Sequence, residues 1–299
     1  MIIFTPVVYK PLLLMLPPEK HRVLTDIVED LQKIPNIAAI VLGGSYAAGT
    51  ATPASDLDIG IYYHESQPFH IEAIRQVAQK HAISSLTVTG FYEWGPWVNG
   101  GAWIQTGAGK ADFLYRNIEQ VQATIAKARN GEWDNHYEQQ PPYGFSSVMY
   151  LAETQICLPL FDPAGLIAQL KLAIQPYPVL LKKNMVQQSL WSAEFTLMHA
   201  AYFAEVTDVY NTLGCFTRCI KNMVMALFAL NELYPISDKR AIDTLEKAAI
   251  KPTGLRDKID HILSAGKDAL NSRAADLQSL FIETVALSEG AYQPLYQLK

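Results

Sequence analysis

Between two short apolar runs the chain places a tight glycine turn and then a pair of alternating aspartates. The residues are Val41-Leu42-Gly43-Gly44-Ser45 and, after Tyr46 to Ser55, Asp56-Leu57-Asp58-Ile59. No other stretch constrains the fold as strongly. Ile37 to Leu42 is wholly apolar and stops at two glycines, which reads as a buried strand feeding a turn. The turn opens a short helical stretch, Ser45 to Thr50 being enough for about one helical turn. Backbone N–H groups and the Ser45 hydroxyl are thereby aimed at one spot, a ready anion site. Leu57 to Tyr63 is a second strand. Its period-two alternation sends Asp56 and Asp58 to one face while Leu57 and Ile59 enter the core.

Two carboxylates side by side resist joint ionisation unless a cation lies between them. Hard oxygen donors suit Mg²⁺, which takes few carboxylates and completes its shell with water and substrate phosphates. A third acid, Asp112, sits in the apolar run Ala111-Asp112-Phe113-Leu114-Tyr115, where an unpaired carboxylate is expensive to bury. If that run is a strand beside the Asp56/Asp58 strand, all three acids meet at one edge. Tyr62 has the parity of the two aspartates and is expected to face the same cleft.

The remaining patterning is α+β. A helix begins at Pro18, carries Glu19 in its first turn and stops before Pro35. A second helix spans 69–81, a strand 86–92, and an aromatic and glycine-rich turn 93–101 precedes strand-like runs at 102–106 and 111–115. The expected architecture is a small mixed sheet with flanking helices, not a regular βαβ repeat. After Arg116 the grammar changes. A polar helix over 118–129 leads into a connector, and from 146 helical spacing dominates, with long segments near 182–208, 210–233, 238–249, 255–265 and 272–288. The expected domains are therefore 1–117, a connector at 118–145, and an all-α bundle at 146–299.

Taken together, Leu42-Gly43-Gly44-Ser45, Asp56-Leu57-Asp58 and Asp112 resemble the signature of the nucleotidyltransferase superfamily, which includes DNA polymerase beta and the antibiotic nucleotidyltransferases. The resemblance covers residues 18–117. The helical second half makes the chain look like the two-domain kanamycin or lincosamide type. That likeness implies Asp56 and Asp58 as ligands of a Mg²⁺ ion bridging an NTP such as ATP, with Asp112 binding a second Mg²⁺ or activating the attacking hydroxyl. Gly43, Gly44 and Ser45 would hold phosphate oxygens. The implied reaction is in-line attack by a small-molecule hydroxyl, an aminoglycoside for example, on the α-phosphorus, with pyrophosphate leaving. A helical domain closing over the nucleotide and a site shared across a homodimer are also features of the kanamycin type.

Some residues carry two readings. Glu153 stands where the kanamycin-type enzymes place a general base, yet by itself it is a solvated helix glutamate. Arg116 faces nucleotide or caps the sheet. Lys182, with Lys183, Arg218 and Lys221, reaches phosphates or is surface charge. Trp94, Trp97 and Trp103 form a wall for a substrate or pack on one another. Gly107-Ala108-Gly109-Lys110 is not a phosphate loop, because Ala111 stands where Ser or Thr is needed. Cys215 and Cys219 lack any further zinc-type cluster and read as core residues.

Composition removes other classes. Net charge is −5, and splitting the chain at 117 gives eight basic against ten acidic residues, then sixteen against nineteen. Neither half has the basic footprint of a long nucleic acid partner. Three cysteines form no disulfide framework, so a cytoplasmic location is expected. Met1 to Leu16 lacks the basic start of a signal peptide, and no long uncharged apolar run suggests a membrane span. Two other functions stay open: a catalytically silent binding module, and an enzyme that nucleotidylates a protein Tyr, Ser or Thr. Three intact acids argue against the first, since clustered buried charge costs stability.

Overall fold

The computed structural model describes residues 16–296. Helix α1 (Pro18–Leu31) opens with proline, whose missing N–H costs nothing in a first turn. There follow β1 (Ala39–Leu42), the one-turn α2 (Gly44–Ala47), β2 (Leu57–Tyr63), α3 (Ile71–His81), β3 (Leu86–Val88), β4 (Gly101–Thr106) and β5 (Gly109–Asn117). Next come α4 (Ile118–Arg129), the small ladder of β6 (Asn135–His136) and β7 (Phe145–Ser146), α5 (Val148–Ile156), β8 (Leu158–Phe161) and α6 (Leu166–Ala173). The chain continues with α7 (Val179–Glu205), α8 (Val209–Leu230), α9 (Ala241–Glu246), α10 (Leu255–Leu263) and α11 (Leu270–Ala286).

The main sheet is mixed, as the sequence predicts, with strand order β3-β4-β5-β2-β1-β8. Only the central β2–β5 pair is parallel; the other neighbours are antiparallel. One face buries Ile40, Leu42, Leu57, Ile59, Ile61, Phe113 and Tyr115 with Leu24, Ile27 and Leu31 of α1 and Ile74 and Ala78 of α3. The other face carries the acids. Asp30, near the end of α1, accepts from Lys80 Nζ at 2.6 Å and lies 2.8 Å from His81 Nε2, clipping α1 to α3.

The structure changes the expected division of the chain. Two compact units form: one runs through Ala126 and resumes with Asn135–Gln175, and the other comprises Lys127–Asp134 and the residues from Pro176 onward. The segment 146–175, expected in the helical bundle, belongs to the sheet unit because β8 supplies the edge neighbour of β1. A run as short and proline-bearing as Leu158-Pro159-Leu160-Phe161 gives no strand signal by itself. The expected strand 86–92 ends at Val88, since Tyr92 adopts a left-handed φ of 62° in the turn that follows. Met1 to Met15, with most of the apolar start, lies outside the described residues.

In the second unit α7 and α8 form the core with α11, burying Leu190 and Leu197, Phe216, Met223 and Leu227, and Leu277 and Phe281. Among the described residues one helix, α8, is long and apolar enough to cross a membrane, and most of that stretch is buried in the protein. Cys219 is buried in the core and Cys157 is buried in the first unit.

Candidate active site

The parallel register of β2 and β5 sets Asp58 directly beside Asp112, on strands about 4.8 Å apart. The row continues outward, because Asp112 pairs with Trp103 of β4 and Trp103 with Thr87 of β3. Paired residues in a sheet share a face. Asp58, Asp112, Trp103 and Thr87 therefore form one transverse row. One step back along the strands a second row holds Lys110 and its partner Gln105; Asp56, one residue before β2, lies at their level.

The glycine turn abuts the acid end of this row. Gly43 N–H donates to the Asp58 carbonyl at 2.8 Å. A Cβ on Gly44, whose φ is +57°, would fall 1.7 Å from Asp58 Oδ2, whereas one on Gly43 would meet nothing closer than 3.7 Å. Gly44 is thus obligatory for both φ and space. The sequence requires the pair; the structure assigns the necessity to the second glycine.

Asp56 is held by its loop. Thr52 N–H donates to Ser55 Oγ and Ser55 N–H to the Thr52 carbonyl, each at 2.9 Å. Lys20 of α1, only 5% exposed, donates to the Ser55 carbonyl, and its ammonium lies 5.4 Å above the Tyr46 ring. Lys20 escapes a sequence reading, since a lysine in the first turn of a helix resembles any solvated charge. Only the fold brings it to the residue before Asp56.

The electrostatics are those of crowded, partly buried carboxylates whose nearby cations, Arg116 and Lys110, do not offset burial and mutual repulsion. Burial, then the charges of Asp112 and Asp56, push the Asp58 carboxyl up to about 6. Burial and Asp56 likewise push Asp112 to about 6, against the opposing pull of Lys110. Among the described residues no three or more His, Cys, Asp or Glu side chains already form a metal cage. Magnesium needs none, because it draws much of its shell from water and phosphate. The donor set here, hard oxygens crowded enough to disfavour their own ionisation, fits such an ion.

Arg116 and Glu153 are brought together. The guanidinium donates through Nε to Glu153 Oε2 at 2.8 Å and through Nη2 to Oε1 at 2.9 Å, and Nη1 donates to the Tyr115 carbonyl at 3.0 Å. It also lies 5.4 Å from the Tyr150 ring and is 6% exposed. Arg116 thus pins α5 to β5, and both Glu153 oxygens accept from it. Tyr62, opposite Arg116 in the register, is 3% exposed and does not line an open cleft. Lys182 lies in the second unit, paired with Glu232 at 2.8 Å.

The aromatic turn packs largely on itself. Trp94 stacks on Trp103 with centroids 4.6 Å apart, and Trp97 stacks on Phe145 at 5.5 Å. Gly107 and Ala108 form the β4–β5 hairpin turn, and Gly109 and Lys110 already belong to the β5 ladder, so the run is not a phosphate cradle.

Residues 22–90 match the family model described as nucleotidyltransferase domain. That span contains the glycine turn, Asp56 and Asp58, and ends before Asp112. No curated protein matches the chain. Among solved structures, a nucleotidyltransferase-like protein from Exiguobacterium sibiricum is similar at 8% identity and a TM-score of 0.46, covering 90% of this chain and 77% of that one.

Proposed function

We propose, from the match of residues 22–90 to a nucleotidyltransferase domain, that the chain is a metal-dependent enzyme that moves an NMP from an NTP to a hydroxyl of a small molecule. The observation that carries the finer reading is the Asp58–Asp112 register with Gly44 packed against Asp58. A phosphate-binding turn and a hard-oxygen pair thereby become one surface. Asp56 and Asp58 would hold the cation, Asp112 would add a third oxygen donor, and the turn at Gly43, Gly44 and Ser45 would receive the triphosphate. Magnesium, when bound, offsets the charge of carboxylates and phosphates and stabilises the oxygens entering and leaving at phosphorus.

The acceptor hydroxyl oxygen bonds to the α-phosphorus while the bond to the bridging oxygen of the β-phosphate breaks. Pyrophosphate leaves with that electron pair, and the hydroxyl proton passes to a neighbouring carboxylate, Asp112 being the one on the open side. Positioning and charge neutralisation supply most of the rate. The acidic balance of both halves supports a small acceptor over a polynucleotide.

Calorimetric titration of each Mg-NTP into wild type and into Asp56→Asn/Asp58→Asn tests the site. The expected result is metal-dependent binding by wild type that the double variant loses, followed by pyrophosphate release once an acceptor is supplied. Equal binding by both proteins would remove the carboxylates from the site.

A further inference from the structure

Beyond Asp112, the row of acids opens into a cavity of about 430 Å³ within the sheet unit. Asp112, Asp56 and Lys110 line one side, and Trp103 and Gln105 of β4 with Thr87 of β3 are among the residues lining the other. Trp103 is 51% exposed, yet it is not loose. Trp94 stacks against it with ring planes 20° apart, and Gly101, two residues back, has no side chain because an added Cβ would meet the Phe113 carbonyl oxygen at 1.8 Å and the Trp94 ring at 3.0 Å. A propped indole beside hydroxyl and amide side chains offers an apolar face to C–H groups and polar partners to hydroxyls at the rim.

In-line transfer requires the attacking oxygen opposite the leaving pyrophosphate. The glycine turn stands at the Asp58 end of the row, so the incoming hydroxyl belongs at the Asp112 end, where this cavity lies. Among the described residues that line the cavity, Lys110 is the cationic one, and it faces Gln105 across the hairpin. With the carboxylates committed to a cation, Lys110 repels a positively charged acceptor and attracts an anionic one.

We propose that this cavity is the acceptor subsite and that Trp103 and Lys110 make it selective for a neutral or anionic sugar ring over a cationic amino sugar. The proposal rests on the nucleotidyl-transfer reading and narrows its acceptor from any small hydroxyl compound to a saccharide. It also departs from the aminoglycoside expectation, since a polycation would set its ammonium groups against Lys110.

The test is a tryptophan-fluorescence titration of the full chain, with and without Mg-ATP. The probes are the methyl pyranosides of glucose, galactose and mannose, the matching uronic acids, and the matching 2-amino sugars. Saturable responses are expected from the pyranosides or uronates, with the amino sugars at least threefold weaker. Trp103→Ala should weaken sugar binding at least tenfold while calorimetric Mg-ATP affinity stays within twofold. Trp103→Phe should retain most of the sugar affinity, read by calorimetry, and Lys110→Glu should reverse the order of uronate and amino sugar. No saturable response from any member of the panel, or an unchanged affinity in Trp103→Ala, overturns the proposal. Sugar binding without binding of any of the four Mg-NTPs would instead overturn the nucleotidyl-transfer reading and leave the saccharide site standing. Trp103 and Lys110 are both surface-accessible, so these variants are expected to fold.

Discussion

A methyl group on Gly44 would overlap the Asp58 carboxylate, and its φ of +57° is one that alanine resists. Gly44→Ala is therefore expected to lower unfolding free energy by about 1–3 kcal/mol. Mg-ATP affinity should fall at least tenfold. Gly43→Ala, with an ordinary φ of −113° and only van der Waals contacts at 3.7 Å or more, should stay within about 0.5 kcal/mol of wild type. Chemical denaturation and calorimetry of the pair check both statements. The acids make a second prediction. Asp58 and Asp112 titrate near 6 when folded, above their usual 3.8, so between those values the native state holds more protons than the unfolded one. Metal-free stability then falls as pH rises from about 4 to about 7. Asp58→Asn or Asp112→Asn should raise metal-free stability at pH 8 by about 1–2 kcal/mol, allowing for partial exposure. The same variants should abolish transfer, and Mg²⁺ should stabilise wild type but neither variant. Thermal melts at pH 5 and 8, with and without Mg²⁺, are the measurement.

Elements are held in place by two charge clusters of different kinds. Glu153 fastens α5 to β5 through a guanidinium that is almost wholly buried, so removing the carboxylate charge leaves a buried cation short of its partner. Glu153→Gln is expected to cost about 2 kcal/mol, reduced from the fully buried case by the partial exposure of Glu153. The pH profile of kcat/KM should be unchanged; a lost ionisation on its acidic limb would restore Glu153 as a base. Asp30 joins α1 to α3, and its hydrogen bond from Lys80 holds its carboxyl well below the usual carboxylate range. That stability is present above pH 4 and lost as pH falls below it. Asp30→Asn should therefore cost about 1 kcal/mol at pH 7 and progressively less under acid, read by urea titration across that range. The helices themselves are legible in sequence from their 3.6-residue spacing. The pairings between them are not, because Asp30 and Lys80 are fifty residues apart and their meeting depends on both helices packing on one sheet face.

At the scale of the whole molecule, the sheet unit borrows 135–175 from beyond its apparent end. A fragment of residues 1–175 is expected to melt cooperatively, whereas one ending at 145 loses β8 and leaves the β1 edge unpaired, with aggregation the expected outcome. Circular dichroism and light scattering on the two fragments would separate these behaviours. The sequence alone determined the glycine turn, the alternation of Asp56 and Asp58, the mixed-sheet grammar and the helical second half. Each of these is local: it follows from backbone freedom at glycine, from strand parity, or from apolar spacing within one segment. Tertiary structure decided which acid lies beside which, which glycine is indispensable, where Lys20 reaches, and that Arg116 and Glu153 serve each other. Those facts depend on strand register and on contacts between segments tens of residues apart, where many pairings satisfy the same local pattern and only simultaneous burial of one shared core selects among them.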